Sequence, residues 1–292
     1  PPMRDTVQVY GRLTQTLGMG GWSLWRWVIL PRLRPQIGFA AGLTGALSMG
    51  DLGVIALFAS PDTATLPLQM YRLMGAYRMD AAAGAALRKD AVIGPSGAGK
   101  STLLSALCGF IPLSTGRLLW QDTDITTFAP GDRPMTMLFQ DNNLFPHLSI
   151  QQNVGLGLRP DLRLSIDEKD RVLNALSRVG LSAFAQRKPG ALSGGQQSRA
   201  ALARVLVQAR PFVLLDEPFA ALGPALRNEM LDLVAELITE TKATLIMVTH
   251  APDDVRRIAD EVIFVANGVA AKPQPAKALM DNPPQELRDY LG

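Results

Sequence analysis

The octapeptide Gly94-Pro95-Ser96-Gly97-Ala98-Gly99-Lys100-Ser101 spaces glycines, a lysine and a hydroxyl as G-x-x-x-x-G-K-S/T. An apolar "AVI" leads into it and the helical pattern "STLLSALCGF", Ser101 to Phe110, leads out. Glycines in such a loop let backbone N–H groups converge on phosphate oxygens, and the helix N-terminus behind them adds partial positive charge. Lys100 can reach the terminal phosphates of a nucleotide, and the hydroxyl of Ser101, with Thr102 next to it, can ligate Mg²⁺. A second stretch, "FVLLDEP" from Phe212 to Pro218, is an apolar strand that ends in two acids. Unpaired buried charge is expensive, so packing alone gives no reason for carboxylates there. Beside a phosphate loop, Asp216 can hold Mg²⁺ through water and Glu217 can polarise an attacking water. Alone, an Asp-Glu pair also fits a solvated strand end; its meaning comes from the loop upstream.

These residues need a scaffold. From Asp90 onward, short apolar runs ("AVIG", "TMLF", "FVLLD", "TLIMVT", "EVIFVA") alternate with amphipathic segments such as "DEKDRVLNALSRVG" and "PALRNEMLDLVAELITE". That alternation predicts a largely parallel sheet covered by helices on both faces. With 292 residues and 47% hydrophobic content, the chain can form one large α/β domain or two ordinary ones. Cys108 is the sole cysteine, which excludes a disulfide framework and a cysteine metal cluster and fits a reducing compartment. A net charge of +3 without any basic run argues against nucleic acid as a partner.

Residues 1 to about 87 differ in texture. Trp22, Trp25 and Trp27 cluster in "GWSLWRWVIL", and the run from Ile37 to Phe58 is apolar apart from Asp51 and a few hydroxyls. That run is long enough to cross a membrane, and equally fits a buried helix of a soluble protein. Arg26, Arg32 and Arg34 precede it, so the positive-inside bias puts its N-terminal end in the cytoplasm, with the tryptophans near the interface or in a core stripe. The opening "PPMRDTVQVYGRL" has no signal-peptide core, and a start on Pro-Pro fits a fragment or a mid-frame translation.

"LSGGQ", Leu192 to Gln196, makes a resemblance specific. Together with the loop and the acid pair it resembles the ATP-binding cassette family, whose signature stands shortly before the acidic strand. The resemblance implies a P-loop NTPase core of mostly parallel sheet flanked by helices, with a helical signature subdomain at about 148–200. Ser193, Gly194, Gly195 and Gln196 would cap the ATP held by a second copy, and Ser193 is also a sound helix cap by itself. Gln140, in "MLFQDNNLFPHL", matches a glutamine that touches Mg²⁺, and His250 matches a histidine on the γ-phosphate. The implied ligands are ATP and Mg²⁺. The implied mechanism is in-line attack of water on the γ-phosphate, with Lys100, Mg²⁺ and the signature loop in trans neutralising the developing charge.

Within the family, "RPMTMLFQDNNLFPHLSIQQNVGLGL", Arg133 to Leu158, is similar to the ATPase of bacterial thiamine importers. "LGMGGWSLWRWVILP" resembles the cytoplasmic coupling loop of importer permeases at Gly18, Val28, Leu30 and Pro31, with Arg12-Leu13-Thr14 in place of Glu-Ala-Ala. Residues 1–87 then read as an all-α permease-like fragment with one transmembrane helix, 37–58, and 90–292 as the ATPase domain without its N-terminal strands. The partners implied are a second ATPase domain in a homodimer, an importer permease and, indirectly, a periplasmic solute-binding protein, at the cytoplasmic face of the bacterial inner membrane. Three departures stand out. The strands that carry an adenine-stacking aromatic have no room before Asp90, with only Tyr71 and Tyr77 nearby. Gly223 replaces an aspartate that contacts the opposite subunit. A single outward crossing at 37–58 would strand the ATPase outside, since "AAAGAAL" is too short to return. Three functions follow: an importer ATPase for thiamine or a related small solute; a non-transport cassette ATPase; and a permease–ATPase fusion remnant that binds nucleotide poorly.

Overall fold

The computed structural model describes residues 10–31, 33, 88–285, 287 and 288. The run at 37–58 and the tyrosines at 71 and 77 lie outside them, and no helix among the described residues is long and apolar enough to cross a membrane.

Each apolar run from Asp90 onward becomes a strand. β1 (Lys89–Ile93) feeds the glycine loop, and α3 (Lys100–Cys108) leaves it. A short hairpin, β2 (Leu119–Trp120) with β3 (Thr123–Asp124), comes before β4 (Met135–Leu138). Then follow α4 (Ile150–Gly155), α5 (Ile166–Arg178), α6 (Gly194–Leu206), β5 (Phe212–Asp216), α7 (Pro224–Thr241), β6 (Thr244–Val248), α8 (Pro252–Ile258) and β7 (Glu261–Ala266). β8 (Val269–Ala270), β9 (Gln274–Pro275) and α9 (Ala276–Asp281) close the order. The sheet runs β4-β5-β6-β1-β7-β8, with β9 also on β7. The five long strands are parallel, whereas β8 and β9 pair antiparallel to β7. With β1 central and its sequence neighbour β4 at the far edge, the strand order reverses beside the glycine loop, which is where open α/β sheets bind ligands.

Period-two alternation sends side chains to two cores. Val213, Leu215, Leu245 and Met247 pack with α4 to α7, while Phe212, Leu214, Ile246 and Val248 pack with α3. A third cluster joins Ala91, Ile93 and Val262 to α8 and α9. Local chemistry fixes the helix starts: Ser149, Ser165 and Ser193 each form a capping box with Gln152, Glu168 and Gln196, satisfying two orphan donors at each end. α3 ends at Gly109, in the left-handed region at φ 84°, and the buried Arg133 guanidinium donates to its last carbonyls, Ala106 O at 2.9 Å and Leu107 O at 2.6 Å.

The N-terminal segment is packed into the second core. α1 (10–16) buries Tyr10 and Leu13, and α2 (Gly21–Leu24) runs on as a π-helical turn, Trp25–Ile29, that buries Val28. The Tyr10 ring stacks on Phe145 at 4.9 Å, and its hydroxyl donates to Leu144 O at 3.3 Å. A Cβ on Gly131 would stand 3.0 Å from Gly18 Cα, so the two backbones touch. The tryptophans divide: Trp27 packs partly against this core, while Trp22 and Trp25 are exposed and stack on each other.

Candidate active site at the strand ends

The phosphate loop joins β1 to α3 in a conformation only glycine tolerates at its first position. Gly94 has φ 151°, and a Cβ there would lie 1.9 Å from Val265 O on β7. Gly97 (φ 78°) and Gly99 (φ 102°) supply the later left-handed turns. Pro95, Ser96 and Gly97 form the exposed crest, with Ala98 behind them. Lys100 folds back beneath it and donates to Gly94 O at 2.7 Å and Pro95 O at 2.9 Å. Burial holds its ammonium below the usual lysine range, and the charges of Glu217 and Asp216 oppose that shift. The lysine therefore braces the loop from beneath through these two carbonyls.

Asp216 and Glu217 emerge from β5 beside this loop. Ser101 Oγ donates to Asp216 Oδ1 at 3.0 Å. Burial raises the Asp216 carboxyl above its ordinary range, and the Ser101 bond pulls it partway back. A hydroxyl and a carboxylate side by side are hard oxygen donors of the kind Mg²⁺ takes, and they fit it. Among the described residues no cluster of three or more His, Cys, Asp or Glu could hold a metal, so phosphates and water would supply the other ligands. Glu217 sits at φ 45°, a left-handed position that costs an ordinary residue about 1–2 kcal/mol. Its N–H bonds to Val248 O at 3.1 Å, which helps hold it there. His250 follows the end of β6, and its Nδ1 lies 3.3 Å from Glu217 Oε2. Gln140 is exposed on the loop after β4; the register of Leu138 beside Leu215 sets that loop next to the acid pair.

The fold thus gathers Gly94 to Ser101, Asp216, Glu217 and His250 at one end of the sheet. Ser193 to Gln196 stand elsewhere, at the N-terminus of α6. Ser193 Oγ accepts from Gln196 N at 3.3 Å, and Gln196 Oε1 accepts from Ser193 N at 3.0 Å. Ser193 and Gly194 are exposed, while a Cβ on Gly195 would meet Leu226 of α7 at 2.6 Å.

Several supporting residues escaped the sequence reading. Arg204 of α6 is fully buried and donates to Asn143 O at 2.9 Å and Asn142 O at 2.7 Å, gripping the loop that carries Gln140. Burial brings its guanidinium down to about 10. An arginine within the apolar run "AALARVLV" was the one available signal. Asp254 Oδ2 accepts from Thr249 Oγ1 at 2.6 Å and Arg227 at 2.5 Å, fixing the turn on which His250 sits. Asp254 reads locally as an ordinary acid in the first turn of a helix, so nothing in the sequence marks its partners.

The family profile described as ABC transporter matches residues 85–220. A thiamine import ATP-binding protein, ThiQ, of Ruegeria sp. (strain TM1040) is 62% identical over 202 residues, 69% of this chain and 87% of the relative. The protein of the same name from Cereibacter sphaeroides is 58% identical over 74% of this chain and 93% of its own length. Among solved structures, cbiO1 of Clostridium perfringens, part of the ABC transporter complex cbiONQ, superposes with a TM-score of 0.60 at 32% identity, covering 67% of this chain and 80% of that one. The ATP-binding cassette MJ0796, a dimer in a post-hydrolysis state with ADP and Pi, gives 0.55 at 28% identity, covering 65% and 85%. The chain shares its fold with these ATPases and belongs to the ATPases of the ATP-binding cassette (ABC) transporter family.

Proposed function

We propose that this chain is the ATP-binding and hydrolysing subunit of an ABC importer and drives uptake of thiamine. The observation that carries the proposal is the convergence of Lys100, the Ser101–Asp216 pair and the Glu217–His250 pair on one glycine loop, in a chain so similar to thiamine import ATP-binding proteins. Backbone N–H groups of Gly97 to Ser101, Thr102 and the Lys100 ammonium bind the phosphates. Glu217 accepts the proton of the attacking water, and His250, already beside it, contacts the γ-phosphate. Ser101, Asp216 and Gln140 would hold Mg²⁺, which would supply charge neutralisation to the phosphates. Catalysis is then positioning and electrostatics.

Ser193 to Gln196 serve the ATP of a second copy: Ser193 and Gly194 are exposed on an element apart from their own phosphate loop, which suits a homodimer. Residues 1–87 are the permease-like part and 90–292 the ATPase domain, whose helical subdomain spans about 148–200. The stacking of Tyr10 on Phe145 and its bond to Leu144 O support reading 10–31 as a coupling segment, because Gln140 lies on the same loop. An importer permease, and through it a periplasmic solute-binding protein, complete the partners at the cytoplasmic face of the inner membrane. One observation favours the alternative of a remnant with impaired turnover: Gly223, where the family resemblance implies an aspartate, caps α7 with no side-chain hydrogen bond and open space around it.

The test is ATP hydrolysis by the purified chain beside its Lys100→Ala variant, together with labelled thiamine uptake in cells whose own importer ATPase is deleted. Lys100-dependent hydrolysis with restored uptake supports the importer; hydrolysis without uptake supports a non-transport ATPase; neither supports the remnant.

A further inference from the structure

We infer that Trp22, Trp25 and the arginines beside them form a docking surface for an anionic lipid bilayer, with the two indoles at headgroup level and a lipid phosphate in the cleft of Arg26 and Arg163. Neither ATP nor a permease enters this contact, so it goes beyond the function proposed above and stands or falls apart from it.

The helical stretch 21–29 has two faces. Val28 and Ile29 are buried, and Leu24 and Trp27 pack partly on the second core. Trp22 and Trp25 turn the other way, 67% and 42% exposed, with their rings stacked at 5.8 Å and 15°. Each indole has ~150–250 Å² to bury, and contiguous apolar surface of that order marks an interaction site. Trp25 also opens a π-helical turn, a rare geometry found mostly at functional sites. Beside the pair lies a cavity of ≈ 480 Å³ lined by Trp22, Ser23, Arg26, Trp27, Asp161 and Arg163. Arg26 and Arg163 are exposed, and the Arg26 guanidinium lies 5.1 Å over the Trp27 ring, which holds its charge on apolar ground. The Asp161 carboxylate accepts from Arg159 Nε at 3.3 Å and from Arg163 N at 3.0 Å. With Arg159 set against Asp161, the charges of Arg26 and Arg163 remain in excess at the cleft, and guanidinium forks match phosphate oxygens. Two observations favour a bilayer over a protein partner. An indole has an apolar body and a polar N–H edge, which suits headgroup level, and arginines next to it suit anionic phosphates. The chain also leaves this surface through Arg32 and Arg34 toward the apolar run 37–58, which is long enough to cross a hydrocarbon core. Basic residues followed by such a run bring the same end of the molecule to lipid.

The test mixes the full chain with vesicles of brominated phosphatidylcholine, alone or with phosphatidylglycerol, and follows the quenching of tryptophan fluorescence by the bromine atoms. The run 37–58 holds none of the four tryptophans, so quenching reports the docked surface whatever that run does. The same titration is made with Trp22→Ser/Trp25→Ser and with Arg26→Ser/Arg163→Ser. These four side chains are exposed, and urea midpoints equal to the parent's show that the variants are folded. The inference expects phosphatidylglycerol vesicles to quench the parent at least ~3-fold more strongly than Trp22→Ser/Trp25→Ser. Arg26→Ser/Arg163→Ser should need ~10–30-fold more phosphatidylglycerol vesicle for half-quenching, and less than ~3-fold more of phosphatidylcholine alone. Equal quenching of the parent and Trp22→Ser/Trp25→Ser overturns the inference, as does a parent that responds alike to the two lipids. Sedimentation without lipid covers the remaining occupant: self-association of the parent that Trp22→Ser/Trp25→Ser abolishes would assign the surface to a second copy and overturn the inference too.

Discussion

Replacing Asp90 with asparagine probes the strand that delivers the phosphate loop. Asp90 lies near the start of β1, in register with Glu261 of β7, and its side chain is only 7% exposed. Arg88 stands 3.6 Å away through Nε and also pairs with Glu261, yet Asp90 Oδ1 has no hydrogen-bond partner. Burial is the leading cause that pushes its carboxyl up from 3.8 to about 6; Arg88 opposes the shift, and Glu261 and Asp260 add to it. A carboxyl raised on folding holds its proton longer in the native state. Its contribution is therefore most favourable below about pH 4 and is lost as pH rises through about 6, leaving the full cost at neutral pH. A shift of about two units sets a ceiling of roughly 3 kcal/mol at ~1.36 kcal/mol per unit. Loss of the Arg88 attraction and partial solvent access cut the gain for asparagine to about 1–2 kcal/mol. In urea unfolding of the full chain, Asp90→Asn should be more stable by that amount at pH 8, raising the midpoint by roughly 0.5 M. At pH 4 the two proteins should agree within ~0.5 kcal/mol. An equal difference at both pH values, or a less stable variant at pH 8, would refute the reasoning.

Three further outcomes follow from contacts near the site. Gly94→Ala drives a Cβ into Val265 O in a backbone region reserved for glycine. It should cost at least ~2–3 kcal/mol in thermal unfolding and abolish ATP binding in a filter assay. Asp254→Asn weakens the acceptor shared by Thr249 and Arg227; loosening of the His250 turn should slow ATP turnover by ~10-fold with ATP affinity kept within ~2-fold, read by steady-state kinetics and equilibrium binding. Tyr10→Ala removes the stack on Phe145 and the bond to Leu144 O. It should speed tryptic cleavage at Arg12 by ~10-fold or more, whereas unchanged cleavage would mean that α1 is held by other contacts.

Local patterns and long-range partners were legible to very different degrees. "FVLLD", "TLIMVT" and "EVIFVA" announced β5, β6 and β7 because each is a short apolar run bounded by turn chemistry. The cap at Ser193 was legible in the same way, and the structure adds the same capping box at Ser149 and Ser165. The glycine loop and the acid pair were legible for the same reason, since their chemistry depends on close spacing. The grip of Arg204 on Asn142 and Asn143, and the Thr249–Asp254–Arg227 cluster, join residues far apart in the chain, and periodicity carries no trace of such pairs. The docking of Tyr10 on Phe145 was equally hidden, because an amphipathic helix declares that it has an apolar face and not what covers it. The two-residue strands β2, β3, β8 and β9 are too short to show any period.

The central claim is that ATP is hydrolysed at the loop where Glu217 stands beside His250. It is tested most directly by comparing the full chain with Glu217→Gln for ATP binding and for phosphate release under the same conditions. The account predicts ATP affinity within ~3-fold of the parent and phosphate release slower by ~10²–10⁴-fold, because the amide keeps the shape of the side chain but cannot accept the proton of the attacking water. Phosphate release by Glu217→Gln at the parental rate would contradict it.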